Sequence, residues 1–303
     1  MSRTNLVVIR AGDTSLHKGW LTVGSNRNWD LFVSWYGKSS YVPVADERWQ
    51  AIAGGKWDGL ARTFAVHGGL LEDYDYIWLP DDDIRTDWRA INRLFDVMKE
   101  ERLHVAQPSL TANSYFSHLH TLNCPGMYLR YTNMVEIMIP CFDVRYLRLV
   151  LPYMSWSMSG FGLDWIWCRL SDENGFKSAI LDCVAMQHTR PVGSSLKGVA
   201  AAAGEASWDG LERMLSTFGV PRKRTSAICY AGRTSNGIEL GRFRTTLRMF
   251  LGHLRLRRLG SGPEWSFKRK WRLFVRANIR KLEFSRLQPA KQPRSADYRP
   301  GSR

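Results

Sequence analysis

Residues 76–84 read YIWLPDDDI: four large apolar side chains, a proline, and then three carboxylates in a row, Asp81, Asp82 and Asp83. The apolar half has the composition of a buried strand, and the acidic half lies where that strand emerges. Two carboxylates about 5 Å apart repel by roughly 3 kcal/mol at an effective dielectric near 20. A triplet therefore calls for a cation or bulk water beside it. A strand ending in Asp-x-Asp suits a hard divalent cation, Mg²⁺ or Mn²⁺, shared with diphosphate oxygens. The competing reading is that the aspartates cap the following helix or decorate a turn.

Working outward, NLVVI (5–9) and DLFVSW (30–35) are β-branched or aromatic runs bounded by turn residues, hence strands, with residues 14–27 able to cross over between them as a short helix. From Lys56 to Leu71, Leu60, Phe64, Val66 and Leu70 fall near helical spacing and lead to the strand at 76–79. Thr86 and Asp87 mark a helix start, Ile91, Leu94, Phe95 and Met98 its buried stripe, and HVAQPSL (104–110) the next strand. This βαβ alternation predicts an α/β protein with a mixed, mostly parallel sheet flanked by helices, and acidic residues at a strand's C-terminal end, where open α/β sheets bind ligands. Further on, EIMIPCF (136–142) reads as a strand, and DVRYLRLVLPYM as a helix ended by Pro152. A glycine-marked loop opens a helix at Asp164, and AILDCVAMQH (179–188) is a late strand ending in His188.

The 303 residues are 44% hydrophobic, enough for a substantial core and too many for a disordered chain. No run of 18 apolar residues occurs, which argues against a spanning helix, and MSRTNLVVIRAGD does not read as a signal peptide; the expected location is cytoplasmic. Five scattered cysteines without a CxxC pair suggest reduced thiols, neither a disulfide framework nor a zinc site. The net charge of +15 belongs to the C-terminal end: residues 241–303 hold 18 basic and 3 acidic residues, and the other 240 hold 25 of each. FRTTLRMFLGHLRLRRL and WSFKRKWRLFVRANIRKL each put Phe, Trp and Leu on one helical face among the basic residues, which suits either an anionic membrane surface or packing on the body.

Single residues remain ambiguous by themselves. Asp164 is either a partly desolvated general base or a helix cap. His188 is either a metal ligand or a structural hydrogen-bonding residue. Lys56 and Arg62, before the DDD strand, either reach a phosphate or are solvated.

Taken in order, KW (56–57), YDYIWLPDDDI (74–84), KEERLHVAQPSL (99–110), EIMIPCF, GLDW (162–165) and HTRP (188–191) resemble the plant and bacterial family catalogued as domain of unknown function 707. Its plant members carry a lysine-ketoglutarate-reductase trans-splicing related label, and the family is similar in turn to nucleotide-diphospho-sugar transferases of the GT-A fold. The resemblance spans roughly residues 5–195. It implies that Asp81 and Asp83 bind a metal, Mn²⁺ or Mg²⁺, with Asp82 as the intervening acidic residue, that His188 completes the metal site, and that Asp164 faces the acceptor. Pro80 departs from the aromatic residue of plant members, and their N-terminal membrane anchor is not expected in this chain.

The reading is a GT-A-like catalytic domain at 1–195, a linker and peripheral helix at 196–240, a basic amphipathic extension at 241–285 and a disordered tail at 286–303. The expected activity is metal-dependent transfer of a sugar from a nucleotide-sugar to a glycan or lipid-linked acceptor. Asp164 is the expected base, Asp81, Asp83 and His188 the metal ligands, and Lys56, Arg62 and Asp82 the donor-binding residues. Residues 241–285 would meet the inner face of a membrane. Two alternatives stand beside it: a non-catalytic sugar- or nucleotide-binding protein of the same fold, and nucleic-acid binding through the basic tail, for which no recognisable module exists.

Overall fold

A computed structural model describes residues 3–22, 26–44, 46–156, 160–170, 175–193, 209–218, 227–255 and 266–279. Its backbone is one mixed sheet with helices on both faces. The strands are β1 (Asn5–Ala11), β2 (Trp29–Trp35), β3 (Arg48–Ala51), β4 (Tyr76–Trp78), β5 (Ile84–Arg85), β6 (Val105–Leu110), β7 (Met127–Thr132), β8 (Cys141–Asp143), β9 (Ser178–His188), β10 (Cys229–Thr234) and β11 (Glu239–Gly241). Their spatial order is β11-β10-β7-β9-β6-β8-β4-β1-β2-β3, with β5 paired separately to β9. Strands β3, β2, β1 and β4 run parallel, as do β6 and β9, while β8, β7, β10 and β11 join antiparallel.

The sequence of β1 explains its central place. Val7, Ile9 and Ala11 point to one apolar cluster and Leu6 and Val8 to the other, so the strand is covered on both faces. The first face is packed by α2 (Trp88–Glu101) through Ile91, Leu94, Phe95 and Met98, the stripe read from the sequence. Asp87 caps this helix by accepting hydrogen bonds from the Arg89 and Ala90 amides at 2.8 and 2.9 Å. The second face is packed by α1 (Lys56–Val66), α3 (Val144–Val150), α4 (Leu163–Ile166) and α5 (Asp209–Thr217), which contribute Trp57, Leu60, Tyr146, Leu163 and Met214.

Several local expectations are corrected by tertiary hydrogen bonding. Between residues 14 and 27 the described chain forms only the 3₁₀ turn His17–Trp20, because Leu16 donates its amide to the Asp82 carbonyl and Trp20 its indole to the Ile84 carbonyl. The helix after Lys56 stops at Val66, ahead of Gly68 and Gly69. Of EIMIPCF only the end is strand, since the Ile137 and Met138 carbonyls serve Lys56. The segment 196–240, expected as linker and peripheral helix, supplies α5 to the second core and β10 and β11 to the sheet in its described part; the tail 286–303 lies outside the described residues. The basic helices α6 (Arg242–Arg255) and α7 (Phe267–Ile279) form as read. They pack on each other through Phe243–Phe274 and Phe250 with Phe267, Trp271 and Phe274, and α6 lies on β10 and β11. Among the described residues no helix is long and apolar enough to cross a membrane.

Pairing of β6 with β9 jumps from Pro108–Leu181 to Ser109–Ala185. Pro108 has no amide to give to the ladder, and residues 182–184 bulge out of it. The bulge turns Asp182 onto Arg130, both fully buried, at 2.6 and 2.8 Å. Arg130 also donates to the carbonyls of His120 and Leu122, and Asp182 accepts the Cys124 amide, so one ion pair ties the 119–124 loop to the sheet. Removing one partner strands a buried charge. Asp182→Ala is expected to destabilise the protein by about 3–5 kcal/mol in urea unfolding, with much of that loss recovered by the apolar double replacement Arg130→Met with Asp182→Leu.

Candidate functional site

The DDD run is shaped by the strands on either side of it. After β4 the chain keeps pairing with the segment before β8: Leu79 donates to the Pro140 carbonyl and Asp81 to the Met138 carbonyl, both at 2.8 Å. Pro80 falls between the two donating residues, where the missing amide costs nothing. Two residues of β5 then pair antiparallel with the last two of β9, Ile84 opposite His188 and Arg85 opposite Gln187. Thr189 locks the junction, its amide and hydroxyl both donating to the Asp83 carbonyl.

Asp81, Asp83 and His188 are thereby brought together, with one ligand atom from each within 4.8 Å of the others. His188 Nδ1 lies 2.9 Å from the Tyr115 carbonyl, which makes it the protonated nitrogen in a neutral ring and leaves Nε2 facing Asp83 Oδ2 at 3.1 Å. Carbonyl-fixed imidazole of this kind is the usual arrangement of a metal-ligating histidine. The other oxygen of Asp83, Oδ1, is buried and has no hydrogen-bond partner among the described residues. Two carboxylates and an imidazole nitrogen with an orphaned oxygen fit a divalent cation of the Mg²⁺–Mn²⁺–Zn²⁺ range. Burial works against charge on His188, but the hydrogen bond and charge of Asp83 outweigh it and raise its pKa.

Lys56, at the start of α1, donates to Asp81 Oδ1 at 2.6 Å and to the carbonyls of Ile137 and Met138 at 2.8 and 2.9 Å. Three acceptors match the three protons of an ammonium. Burial pulls Lys56 down and Asp81 up, and the charge of each opposes that shift in the other. Asp82 is more than a spacer. Its carboxylate accepts from the Gly12 amide, the Tyr36 hydroxyl and Arg190 at 3.0–3.1 Å, tying the ends of β1, β2 and β9 together. Arg62 is not brought to this cluster: it is six residues beyond Lys56, about 240° round the helix, and pairs with Asp58.

Asp164 opens α4 behind Gly160 and Gly162, whose φ values are +72° and +102°. A β-carbon at Gly160 would sit 2.0 Å from the Trp57 indole, so only glycine lets this loop close over α1. Asp164 is buried, one of its oxygens has no hydrogen-bond partner among the described residues, and burial pushes its pKa up to about 7 against the pull of nearby backbone amides. Glu136 is its electrostatic neighbour. Burial first, and then the charge of Asp164, push Glu136 up to about 8, with His188 opposing. Glu136 thus feels both Asp164 and the Asp81–Asp83–His188 cluster.

Sequence reading missed three residues here: Glu136, Arg190 and Tyr36. Glu136 and Arg190 lay inside EIMIPCF and HTRP, and a carboxylate amid four apolar neighbours was the available signal; Tyr36, just past β2, carried none.

The family described as Protein of unknown function (DUF707) matches residues 49–127, about a quarter of the chain, including Lys56 and the DDD run. Among solved structures, one described as a "putative nucleotide-diphospho-sugar transferase" from Desulfovibrio desulfuricans G20 is similar over 51% of this chain and 68% of its own, at 11% identity and a TM-score of 0.31. No curated protein matches.

The buried carboxyls make stability fall with pH. An unfolded glutamate loses its proton near its ordinary pKa of 4.5, whereas native Glu136 keeps it to about 8, so between these values the native state binds more protons and loses stability as pH rises. In urea unfolding with a chelator present, the native protein should lose stability from pH 5 to pH 9, and Glu136→Gln should flatten that loss by on the order of 2 kcal/mol. An equally steep profile for Glu136→Gln would show that this carboxyl is not the cause.

Proposed function

We propose that the chain is a metal-dependent glycosyltransferase of the GT-A kind, which moves a sugar from a nucleotide-sugar to a glycan or lipid-linked acceptor. The observation that carries this reading is the Asp81–Asp83–His188 cluster, with a buried, unpartnered carboxylate oxygen, at the C-terminal edge of a parallel strand. The ordered motifs resembling the family, and the family match over the DDD run, support it. Asp81, Asp83 and His188 would hold Mn²⁺ or Mg²⁺. Bound there, the cation supplies positive charge against the departing nucleoside diphosphate.

The other roles belong to the chain's own side chains. Lys56 pairs with Asp81 and Arg190 with Asp82. Arg190 would bind the diphosphate oxygens, and Lys56 would join it by giving up one of its three present acceptors. Asp164, with a pKa about 7, is matched to removing a hydroxyl proton near neutral pH, and would act as base in a direct displacement that inverts the anomeric centre. Glu136, protonated up to about 8, keeps a second negative charge away from Asp164 at working pH. The nine basic and no acidic residues of α6 and α7, with Phe243, Phe267 and Trp271 about half exposed, support attachment to the anionic inner face of a membrane.

One observation favours a second reading, a sugar- or nucleotide-binding protein without turnover. Lys56 already neutralises Asp81 with all three of its protons engaged, which lessens the need for a cation. Release of free sugar from a nucleotide-sugar in the presence of Mn²⁺ separates an enzyme from a binder.

Thermal shifts with nucleoside diphosphates and nucleotide-sugars test the site itself. A ligand at about 100 times its Kd stabilises by roughly 2.7 kcal/mol, so the native protein should melt several degrees higher with Mn²⁺ and a matching nucleotide together. Asp83→Ala should abolish that shift; an unchanged shift would contradict the assignment.

A further inference from the structure

A cavity of about 250 Å³ lies between the α6–α7 pair and the body of the protein. Its walls are mainly apolar, with Ile228, Met249, Phe250 and Phe274 among them. An apolar cavity of about 150 Å³ already holds a benzene-sized molecule, so this one has room for a stretch of a single hydrocarbon chain. Two features distinguish it from a packing defect. His253 lines it, is 4% exposed, and its Nε2 has no hydrogen-bond partner among the described residues. An unmet polar atom of this kind in an apolar chamber points to a guest with polar as well as apolar parts. The cationic side chains Lys270 and Arg276 also line it, on a helix with no acidic residue, and Arg276 is exposed.

We propose that this cavity binds a single-chain anionic amphiphile, its hydrocarbon chain against the apolar walls and its phosphate or carboxylate head beside Lys270 and Arg276. The charge of α6 and α7 is complementary to such a head. Trp165, the residue after Asp164 on α4, lines the same cavity, so the helix that carries the candidate base also supplies part of the cavity wall. That last step rests on the transferase reading and would make the amphiphile the apolar part of a lipid-linked acceptor; binding itself does not depend on it.

Calorimetric titration of the full chain with dodecyl phosphate, kept below its micelle-forming concentration, tests the proposal beside butyl phosphate and inorganic phosphate. The native protein should bind dodecyl phosphate at one site and at least tenfold more tightly than either short-chain probe. Ala277→Trp, which fills the cavity from α7, should weaken binding at least tenfold. Arg276→Glu, an exposed change without consequence for folding, should weaken it several-fold and leave uncharged dodecyl maltoside unaffected. Asp83→Ala should bind dodecyl phosphate like the native chain, so that loss of nucleotide binding and loss of amphiphile binding are separate results. Pelleting with phosphatidylglycerol vesicles by the native chain, but not by Ala277→Trp, names the bilayer as the source of the chain; binding of the free probe without pelleting names a soluble amphiphile. Equal affinity for inorganic phosphate, no binding of dodecyl phosphate, or undiminished binding by both variants would overturn the proposal.

Discussion

Two residues of antiparallel pairing, Ile84 opposite His188 and Arg85 opposite Gln187, are the constraint on which the candidate centre depends. The DDD run belongs to one part of the chain and His188 lies about a hundred residues later; nothing local brings them together. The β5–β9 contact does so, and the Thr189 bonds to the Asp83 carbonyl fix its register. A slip of one residue would turn His188 to the opposite side of the ribbon and leave Asp83 without its partner. The small size of β5 makes the neighbouring supports important: Trp20 holds the Ile84 carbonyl from one side, and Leu16 the Asp82 carbonyl from another.

Around that junction the three aspartates have separate electrostatic solutions. Asp81 is balanced by the Lys56 ammonium, Asp82 by Arg190 and two neutral donors, and Asp83 by His188. Glu136 and Asp164, which form no ion pair among the described residues, take the other route open to buried carboxyls and hold their protons to about 8 and 7. The centre therefore combines carboxylates paired with basic side chains and protonatable carboxyls in apolar surroundings, a division produced by environment alone.

Much of this was legible in the sequence where one element carries its own signal. The β-branched and aromatic runs of β1 and β2, the helical stripes of α1 and α2, and the helix start at Asp87 were visible, as were Asp81, Asp83 and His188 as candidate ligands. What escaped notice depended on partners far along the chain. Strand β7 has Arg130 in its middle and makes sense only once Asp182 is bulged toward it, and β11, at the sheet edge, and its inner neighbour β10 have no continuous apolar run. The bracing part played by Asp82 was hidden because Gly12, Tyr36 and Arg190 come from three other segments. Arg62 looked useful because sequence proximity to Lys56 conceals the turn of the helix between them.

The C-terminal helices give the same lesson at larger scale. Their amphipathic faces allowed either packing or a membrane, and the folded chain spends Phe250 and Phe274 on packing while leaving Phe267 and Trp271 about half exposed. Whether the molecule is a metal-assisted transferase turns on the Asp81–Asp83–His188 centre, and Mn²⁺ titration followed by electron paramagnetic resonance addresses it directly. One equivalent of Mn²⁺ should lose its free-ion signal on binding, and pulsed spectra should show coupling to a single imidazole nitrogen that vanishes in His188→Gln. A free-ion signal that grows from the first addition, or nitrogen coupling that survives in His188→Gln, would contradict it.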